Sequence, residues 1–376
     1  MKTLIPILLF GMFFAYLTEK STVGKYKYDK QTRQNKLFFA ALILLLALPI
    51  GLRRMYNDTG AYINGFNASL TVLELFSSGE LFILSNPAFK LYTALIHDLT
   101  GNYHIYFMIP AVFTQYMFMS TIRRYSKSFT LGVGLYICLG TYVFSIAAMK
   151  QVIAMSILMM AIPKLLDKKY VQFYLIVFVA FLFHTYAIAF AVLPLFTVKP
   201  WKFRTFALLA VVVIAMYNFE SVIGSFLDFA NEQGKSVAEY EVFDDAQVNV
   251  FRVAVYAVVP ALSLLMRPYI FGDDYDRCYD LLIHMSIISL AFMLMGLVEG
   301  ANMFARMATY FEMGMICSLS WMIDRVFTER SKHIVNVFAS ICFFLYFVYA
   351  YQFALVFDDH YRAVTIFEFI KSLLVV

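Results

Sequence analysis

The chain has 376 residues, of which 62% are apolar and only 15% are Asp, Glu, Lys or Arg, and its net charge is +5. A soluble domain is about 45–50% apolar and about 25% charged, and it lacks the interior to bury so large an apolar excess. The composition therefore excludes a soluble enzyme, a disordered chain, a disulfide-rich secreted scaffold and a soluble nucleic-acid binder, and it predicts a polytopic membrane protein.

Twelve apolar runs approach the length of a membrane-spanning helix, which is about 20 residues. In chain order they cover residues 3–18, 37–52, 103–122, 129–148, 150–166, 170–184, 185–198, 204–219, 248–266, 279–298, 302–323 and 334–356. Only Lys2 precedes the first run and a basic cluster follows it, which is the reverse of a signal peptide, so we interpret it as a retained span. Residues 170–198 have two interpretations: two short spans that meet near His184, or one long span with a re-entrant piece.

Basic residues indicate the orientation of these spans. The loop 18–36 contains six Lys and Arg residues, and such loops lie in the cytoplasm. Alternation from this loop places the other short basic loops inside and both termini outside. The predicted fold is an all-α membrane bundle of about twelve spans, in a single domain that covers residues 1–376.

Three segments on the predicted outer side carry more than a simple connection needs. The first, 53–102, contains a candidate surface helix. The second, 220–247, is acidic and rich in turn-forming residues, so we interpret it as a covering loop. The third is the tail 357–376, whose apolar residues recur at helical spacing and predict an amphipathic segment.

The candidate surface helix follows Asn86 and Pro87, which suit the N-cap and first position of a helix, and Gly101 can end it. One stripe of this helix is apolar, which is typical of a helix lying in the membrane surface. The stripe consists of Ala88, Leu91, Tyr92, Leu95, Ile96 and Leu99.

Polar and charged side chains gather at the outer ends of the predicted spans. They are Arg53, Arg54, Asp58, Lys150, Gln151, His184, Arg252, Glu299, Asn302 and Arg306. Taken singly, each cation can simply extend towards lipid headgroups, and His184 can be a hydrogen-bonded histidine of the core. Together the cations match an anionic headgroup on a lipid tail, because Arg binds phosphate oxygens through two hydrogen bonds and Lys adds a point charge.

The predicted span 302–323 carries polar residues deeper into the membrane. Asn302, Arg306 and Tyr310 are four residues apart, so a continuous helix places all three on one face. Glu312 lies near the bilayer midplane, where an unpaired carboxylate is costly. We expect Glu312 to be protonated or paired inside the bundle, and because the sequence shows no partner we interpret its role as structural.

The sequence contains neither a phosphate-binding Walker loop nor a cluster of metal-ligand residues. We therefore expect no metal and no other cofactor. From these residues alone, a lipid flippase or exporter fits nearly as well as a transferase.

Short segments in a fixed order resemble the motifs of EpsG-like proteins, the Wzy-type polymerases of bacterial exopolysaccharide, capsule and O-antigen. They are Gly51-Leu52-Arg53 followed by Asn57-Asp58-Thr59 and Tyr62, then Met149-Lys150-Gln151-Val152-Ile153-Ala154, then Phe183-His184-Thr185, and Arg306 with Tyr310-Phe311. Lys150 stands where the family usually has Arg, which keeps the charge but loses the paired hydrogen bonds. Thr185 and Tyr186 also replace the small residues that usually follow the histidine.

The resemblance implies a GT-C-like membrane glycosyltransferase that condenses oligosaccharides linked to undecaprenyl pyrophosphate, outside the bacterial cytoplasmic membrane and without nucleotide sugar. The site residues then have three roles. The pyrophosphate is bound by Arg53, Arg54, Lys150 and Arg306. The candidate bases are Asp58, His184 and Glu299. The glycan is contacted or oriented by Tyr62, Gln151, Asn302 and Tyr310. Asp58 is the favoured base, although its position beside two arginines also suits a structural anchor.

The implied partners are the lipid-linked oligosaccharide, membrane lipids, and a flippase and a chain-length regulator of the same pathway, with no nucleic acid. Two other functions stay open. Transport of the lipid-linked glycan is disfavoured because no internal duplication is visible and the charges gather on one face. Ligation of glycan to another lipid shares all of the expected chemistry.

Overall fold

A computed structural model describes residues 1–21, 33–79, 81, 86–217, 247–271, 277–298 and 301–374. Nearly all of the predicted covering loop 220–247 lies outside these residues, and so does the candidate base Glu299. The side chain of Asn302 also lies outside the described part of the chain.

Helices form most of the regular structure. The first half of the chain contains α1 Leu4–Lys20, α2 Arg33–Gly51, α3 Thr59–Asn67, α4 Val72–Ser77, α5 Pro87–Leu99, α6 Tyr103–Tyr125, α7 Phe129–Cys138, α8 Thr141–Ala147, α9 Met149–Met159, α10 Ala161–Leu166 and α11 Tyr170–Phe183. The second half contains a 3-10 helix Thr185–Phe196, α12 Phe203–Tyr217, α13 Val250–Leu265, α14 Arg267–Ile270, α15 Cys278–Met295, α16 Ala301–Thr309, α17 Met313–Val326, α18 Glu329–Val348, a π-helix Tyr349–Ala354, α19 Phe357–His360 and α20 Ile366–Leu373. Two short strands, β1 Arg53–Met55 and β2 Arg362–Ala363, pair antiparallel.

The long helices pack side by side as a bundle. Helix α1 lies against α2 and α7, α2 lies against α6, and α15 contacts α13, α16 and α17. Helix α15 is mostly apolar, its few polar residues form no separate polar face, and it is buried on nearly all sides, as this pattern predicts. Helix α18 is mostly exposed, and its apolar side chains therefore lie at the periphery, where they suit contact with lipid.

Among the described residues, four helices are long and apolar enough to cross a membrane, and one bent helix pair makes a fifth. The four are Tyr103–Tyr125, Met149–Leu166, Cys278–Met295 and Glu329–Ala354. Shorter apolar helices are Asn35–Gly51, Tyr170–Phe183, Thr185–Phe196 and Val250–Leu265. The chain is thus an all-α, multi-pass membrane protein, as its composition predicted. The count of twelve spans and the outward termini stay predictions.

The predicted span 129–148 is not one straight helix, because it is divided into α7 and α8 with a bend of 52°. Gly140 lies at the bend with φ of +97°, a conformation that residues with a Cβ rarely adopt. A Cβ at this position would also collide with the hydroxyl of Tyr351 in the π-helix. The bend therefore depends on glycine.

We expect Gly140→Ala to destabilise the protein by about 1–3 kcal/mol, because it combines backbone strain with this collision. Adding Tyr351→Phe removes the colliding hydroxyl and should restore only part of the stability, since the strain at position 140 remains. Thermal unfolding of the purified protein in detergent measures both effects. Gly60→Ala is the control, because a Cβ there meets nothing within 4 Å. A Gly140→Ala protein as stable as the Gly60→Ala protein would contradict this account.

The predicted span 302–323 is also interrupted. Helix α16 ends at Thr309 and α17 begins at Met313, and backbone hydrogen bonds of the tight i to i+3 kind join them. Such turns inside a span often mark functional positions. The prediction of one continuous helix face is therefore wrong, because Tyr310 lies in the turn after the helix that carries Arg306.

Residues 170–198 form two segments that meet at His184, which corresponds to the first of the two interpretations. The α-helix α11 has 14 residues and the following 3-10 helix has 12, and the two contact each other. A 3-10 helix rises about 2.0 Å per residue against about 1.5 Å in an α-helix, so both segments are about 21–24 Å long. The 3-10 geometry thus lets 12 residues extend over most of the hydrocarbon layer, which is about 30 Å thick.

The first of the predicted outer segments, 53–102, contains α3, α4 and α5. Helix α5 confirms the predicted helix, and Pro87 occupies its first turn. Asn86 precedes it in the left-handed conformation and its side chain does not cap the helix, contrary to the prediction. Within the predicted stripe, Leu95 and Leu99 are exposed and Ile96 is buried. The other buried residues of α5 are Phe89, Thr93 and Ala94. That the stripe lies in the membrane surface stays a prediction.

The C-terminal segment returns to this outer segment. Strand β2 pairs with β1, and the Tyr361 hydroxyl donates to the Pro49 carbonyl oxygen at 2.7 Å. The predicted amphipathic tail contains two helices, α19 and α20, and α20 begins with a capping box of Thr365 and Glu368. The exposed apolar side chains of α20 are Ile366, Phe367, Ile370 and Leu373, and exposed Leu374 follows the helix. The residues before α20 belong to the bundle rather than to the tail, because they are held by the strand pair.

Candidate functional site

The outer segment begins with Arg53, whose side chain is completely buried. Its guanidinium donates to the Ile50 carbonyl oxygen at 2.7 Å and to the Thr59 hydroxyl oxygen at 3.3 Å, and it lies 3.9 Å from the ring centre of Phe107. Burial lowers the pKa of Arg53 to about 10, so the side chain is still charged at neutral pH. Its Nη2 atom has no hydrogen-bond partner among the described residues. Arg53 therefore holds the loop in place from inside.

A first cavity of about 380 Å³, here named the Lys150 cavity, lies beside this loop. Its charged and hydroxyl-bearing lining residues are Asp58, Tyr62, Ser69, Lys90, Thr93, Tyr106 and Lys150. The Lys150 ammonium lies 5.4 Å from the ring centre of Phe89, and the Lys150 backbone N–H lies 3.5 Å from the Tyr62 hydroxyl oxygen. Two ammonium groups and one carboxylate thus surround a space large enough for a small ligand.

The pKa of Tyr62 depends on its burial and on the charges around this cavity. Burial raises the pKa of Tyr62 to about 12, and the negative charge of Asp58 acts in the same direction. The phenol therefore keeps its proton at neutral pH and can donate a hydrogen bond. The positive charge of Arg306 also acts on Tyr62, which places the guanidinium of α16 within electrostatic reach of the Lys150 cavity.

Gln151 connects the start of α9 to the end of α16. Its amide nitrogen donates to the Arg306 carbonyl oxygen at 2.7 Å and to the Thr309 hydroxyl oxygen at 3.0 Å. Gln151 itself is buried, and its amide oxygen has no partner among the described residues. These bonds fix the backbone at Arg306 relative to Lys150, so the two cations belong to one rigid part of the bundle.

His184 and Tyr310 contact each other but line neither the Lys150 cavity nor the second cavity described below. The Tyr310 hydroxyl and His184 Nδ1 are 2.7 Å apart, although 126 residues separate them in the sequence. His184 is half-buried at the break between α11 and the 3-10 helix, and Tyr310 is fully buried in the turn after α16. Both breaks in helical structure therefore serve to bring these two rings together.

The structure unites some of the predicted site residues and separates others. Asp58, Tyr62 and Lys150 line one cavity, and Gln151 and Arg306 are bonded beside it. Arg53 lines neither cavity described here, and Arg54 is exposed on β1. Within the described part of the chain, no group of three or more His, Cys, Asp and Glu side chains could hold a metal ion.

A second cavity of about 440 Å³, here named the Arg252 cavity, was not predicted. Its polar lining residues are Asn57, Thr141, Gln247, Asn249, Arg252, Thr309 and Glu312, with Tyr56, Tyr346, Tyr349 and Tyr351. The sequence placed Arg252 at the outer end of a span but gave it no role. The available signal was a pair of opposite charges in separate predicted spans, with Arg252 at the outer end of one and Glu312 inside the other.

Glu312 has the partners that the sequence did not reveal. One carboxylate oxygen accepts a hydrogen bond from the Thr141 hydroxyl at 2.7 Å, and the other accepts one from the Tyr256 hydroxyl at 2.7 Å. The guanidinium of Arg252 lies 5.7 Å from the Tyr256 ring centre. The expectation of a paired Glu312 is therefore confirmed, and its position on a cavity wall adds to the structural role that we assigned.

The two cavities lie on opposite sides of the same chain segments. Asn57 lines the Arg252 cavity and the next residue, Asp58, lines the Lys150 cavity. Ala147 likewise lines the Arg252 cavity, and Lys150 lines the other. The loop before α3 and the junction between α8 and α9 thus form a shared wall, with Asp58 and Lys150 on the side of the Lys150 cavity.

The profile of the EpsG family matches residues 36–363. The chain belongs to the EpsG family. This confirms the resemblance inferred from the motifs, and EpsG proteins are Wzy-like polysaccharide polymerases. Neither a search of curated proteins nor a search of solved structures returned a match.

EpsG membership gives both cavities a chemical context, because every residue that lines them lies within the matched range. In general terms the chain is a glycosyltransferase-like enzyme of polysaccharide biosynthesis, and such a polymerase acts on lipid-linked oligosaccharides. Helix α20 lies beyond the match. The roles of the individual site residues stay predictions.

Proposed function

We propose that this protein condenses undecaprenyl-pyrophosphate-linked repeat units into a bacterial surface polysaccharide, at the outer face of the cytoplasmic membrane. The observation that carries the proposal is the Lys150 cavity, where Asp58, Tyr62 and two lysines surround one space. A cation-lined cavity suits a pyrophosphate, and a carboxylate beside it suits a reacting hydroxyl. A flippase and a chain-length regulator of the same pathway are the proposed partners.

The proposed reaction is a glycosyl transfer between two lipid-linked glycans. The hydroxyl oxygen of the acceptor unit attacks the anomeric carbon of the donor chain. The new glycosidic bond forms as the bond from that carbon to the pyrophosphate oxygen breaks, and the hydroxyl proton passes to Asp58. Undecaprenyl pyrophosphate leaves with the bonding electron pair. Because a pyrophosphate is a good leaving group, cations can take the place of an acid catalyst.

Six of the predicted residues have a place in this reaction besides Asp58. Lys150 and Arg306 stabilise the negative charge that develops on the leaving pyrophosphate. Tyr62 keeps its proton and can donate to the pyrophosphate or to a sugar hydroxyl. The His184–Tyr310 pair orients the glycan, with His184 as the alternative base. Arg53 acts through the loop, because its bonds to Ile50 and Thr59 hold Asp58 at the cavity.

Substitutions that remove or keep the charge at position 150 test this proposal. We expect Lys150→Ala to lower the polymerisation rate about 100-fold, because one cation on the leaving group is lost. Lys150→Arg, which restores the residue usual in the family, should stay within about tenfold of the wild-type rate. Lys371→Ala removes an exposed lysine of α20 and is the control. The assay follows glycan length on gels, with purified full-length protein in nanodiscs and lipid-linked repeat units.

The same assay distinguishes the alternatives. A flippase would leave the repeat units unlengthened and would move them across the bilayer of proteoliposomes. A ligase would transfer single units or finished chains to another lipid without lengthening them. Either result, or full activity of Lys150→Ala, would overturn the proposal.

A further inference from the structure

An apolar groove lies along the three helices that also border the Arg252 cavity. The groove has a volume of about 420 Å³ and lies between α13, α17 and α18. Residues of these helices or of the segments that adjoin their outer ends also line the Arg252 cavity. The two spaces are chemically opposite, since one carries a guanidinium and a carboxylate and the other is lined by apolar side chains together with Cys342.

Helix α13 shows this change most directly. Arg252 lines the cavity, and Val255, Val258, Leu262 and Met266 follow at spacings of three or four residues along the groove. At a rise of about 1.5 Å per residue, the face from Arg252 to Met266 is about 21 Å long. One helix face thus offers a charged end and an apolar track, and together they cover most of the hydrocarbon layer.

The other two helices repeat the pattern. On α18, Tyr346 lines the cavity, and Phe343, Ala339 and Val335 line the groove at successive turns towards the opposite end of the helix. Near the start of α17, Glu312 lines the cavity, and the groove begins about two turns later at Leu319. Because all three helices change in the same direction, the polar ends lie together and the apolar ends lie together.

The groove opens towards the side of the bundle. Helices α13 and α18 both pack against α17, and the groove lies between them. Phe338 and Cys342, which line it, are exposed. A hydrocarbon chain can therefore enter from the bilayer while its headgroup reaches the Arg252 cavity, without passing through the protein.

We infer that the groove and the Arg252 cavity together bind one polyprenyl pyrophosphate carrier, with its tail in the groove and its phosphates at Arg252. This inference rests on the proposed function, because polymerisation needs two lipid-linked glycans at once. The Lys150 cavity serves one of them and the Arg252 cavity serves the other. The shared wall between the cavities then lies where the two glycans meet.

Photo-crosslinking tests the inference in full-length protein in nanodiscs. The probe is undecaprenyl pyrophosphate without glycan, with a diazirine near the end of its tail. We expect mass spectrometry to find the label on α13, α17 and α18 at groove residues. Ala339→Trp, which fills the groove, should lower this labelling about tenfold. Val337→Trp lies on the same helix, is exposed and does not line the groove, so it should leave the labelling unchanged.

A second experiment, with Arg252→Gln, tests whether Arg252 binds the phosphates of the carrier. Loss of the guanidinium should weaken labelling by the pyrophosphate probe about tenfold and leave labelling by the matching undecaprenol probe unchanged. Equal labelling of the groove by a diazirine phosphatidylglycerol would mean that bulk lipid occupies it, and it would overturn the inference. So would a wild-type label confined to residues outside the groove.

Failure of the inference and failure of the proposed function differ in outcome, because crosslinking measures binding without turnover. If the groove takes no label while chain growth still depends on Lys150, the carrier site is wrong and the function stands. If the groove is labelled as expected but no glycan is lengthened, the proposed function is wrong and the carrier site stands.

Discussion

Asp58→Asn is expected to stop chain growth and leave single repeat units, while the amount of protein in the membrane stays normal. An amide keeps the size of the carboxylate but cannot accept the proton of the acceptor hydroxyl. Loss of a general base costs about 100- to 10,000-fold in rate. The Asp58 side chain does not cap α3, so the substitution removes no helix-capping bond. Glycan length on gels and initial rates with purified protein measure the effect.

Asp359→Asn is the matched control, because Asp359 is an exposed carboxylate of α19 and lines neither cavity. His184→Gln makes the comparison between the two candidate bases. We expect a smaller loss from His184→Gln, since its ring nitrogen is engaged with Tyr310. A rate for Asp58→Asn within tenfold of the wild type, together with a larger loss for His184→Gln, would transfer the role of base to His184.

Glu312→Leu is expected to have the largest effect on stability. The carboxylate accepts hydrogen bonds from Thr141 and Tyr256 in the middle of the bundle, and leucine leaves both hydroxyls unsatisfied. Hydrogen bonds to a charged group contribute about 1.5–3 kcal/mol each, so we expect a loss of about 3 kcal/mol or more. Thermal unfolding in detergent, followed by size-exclusion chromatography, measures the change.

Glu312→Gln should lose less stability, because glutamine keeps the shape of the side chain and one acceptor oxygen. The hydroxyl of Thr141 or Tyr256 can rotate to accept a hydrogen bond from the amide NH2 group. Glu329→Leu is the control, because Glu329 is exposed at the start of α18. Thr141→Val and Tyr256→Phe each remove one of the two hydrogen bonds to Glu312. Each should cost about half of the stability that Glu312→Leu costs. If the Glu312→Leu protein unfolds at the same temperature as the Glu329→Leu protein, the carboxylate of Glu312 has no structural role.

Much of the site could be predicted from the chain alone, for reasons of solvation and spacing. A charged side chain in an apolar run is costly, so Lys150 and Arg306 drew attention by position, and the order of the motifs around them indicated the family. Helix α5 was predictable because Pro87 and Gly101 mark its ends locally. These features depend on residues that are close together in the chain, so they can be predicted from the sequence alone.

The helix breaks were only partly predictable. Gly140 is a glycine in an apolar run, and glycine is tolerated inside a helix, so a bend at this position could not be distinguished from a straight span. Glycine is necessary because of the positive φ at the bend and because of the hydroxyl of Tyr351, more than 200 positions later in the chain. The turn after Thr309 has no proline and likewise gave no local signal.

The sequence by itself determined that this is a membrane protein, its helical class, its family and the kinds of charge at its candidate site, because these follow from composition and short motifs. Only the tertiary structure decided which charges share a space. It buried Arg53 against Phe107, paired Glu312 with Thr141 and Tyr256, and placed Asp58 and Lys150 on one cavity. Each of these contacts joins residues of different helices or loops. Helix packing fixes such contacts, because a costly buried polar group is stable only where the bundle supplies its partner.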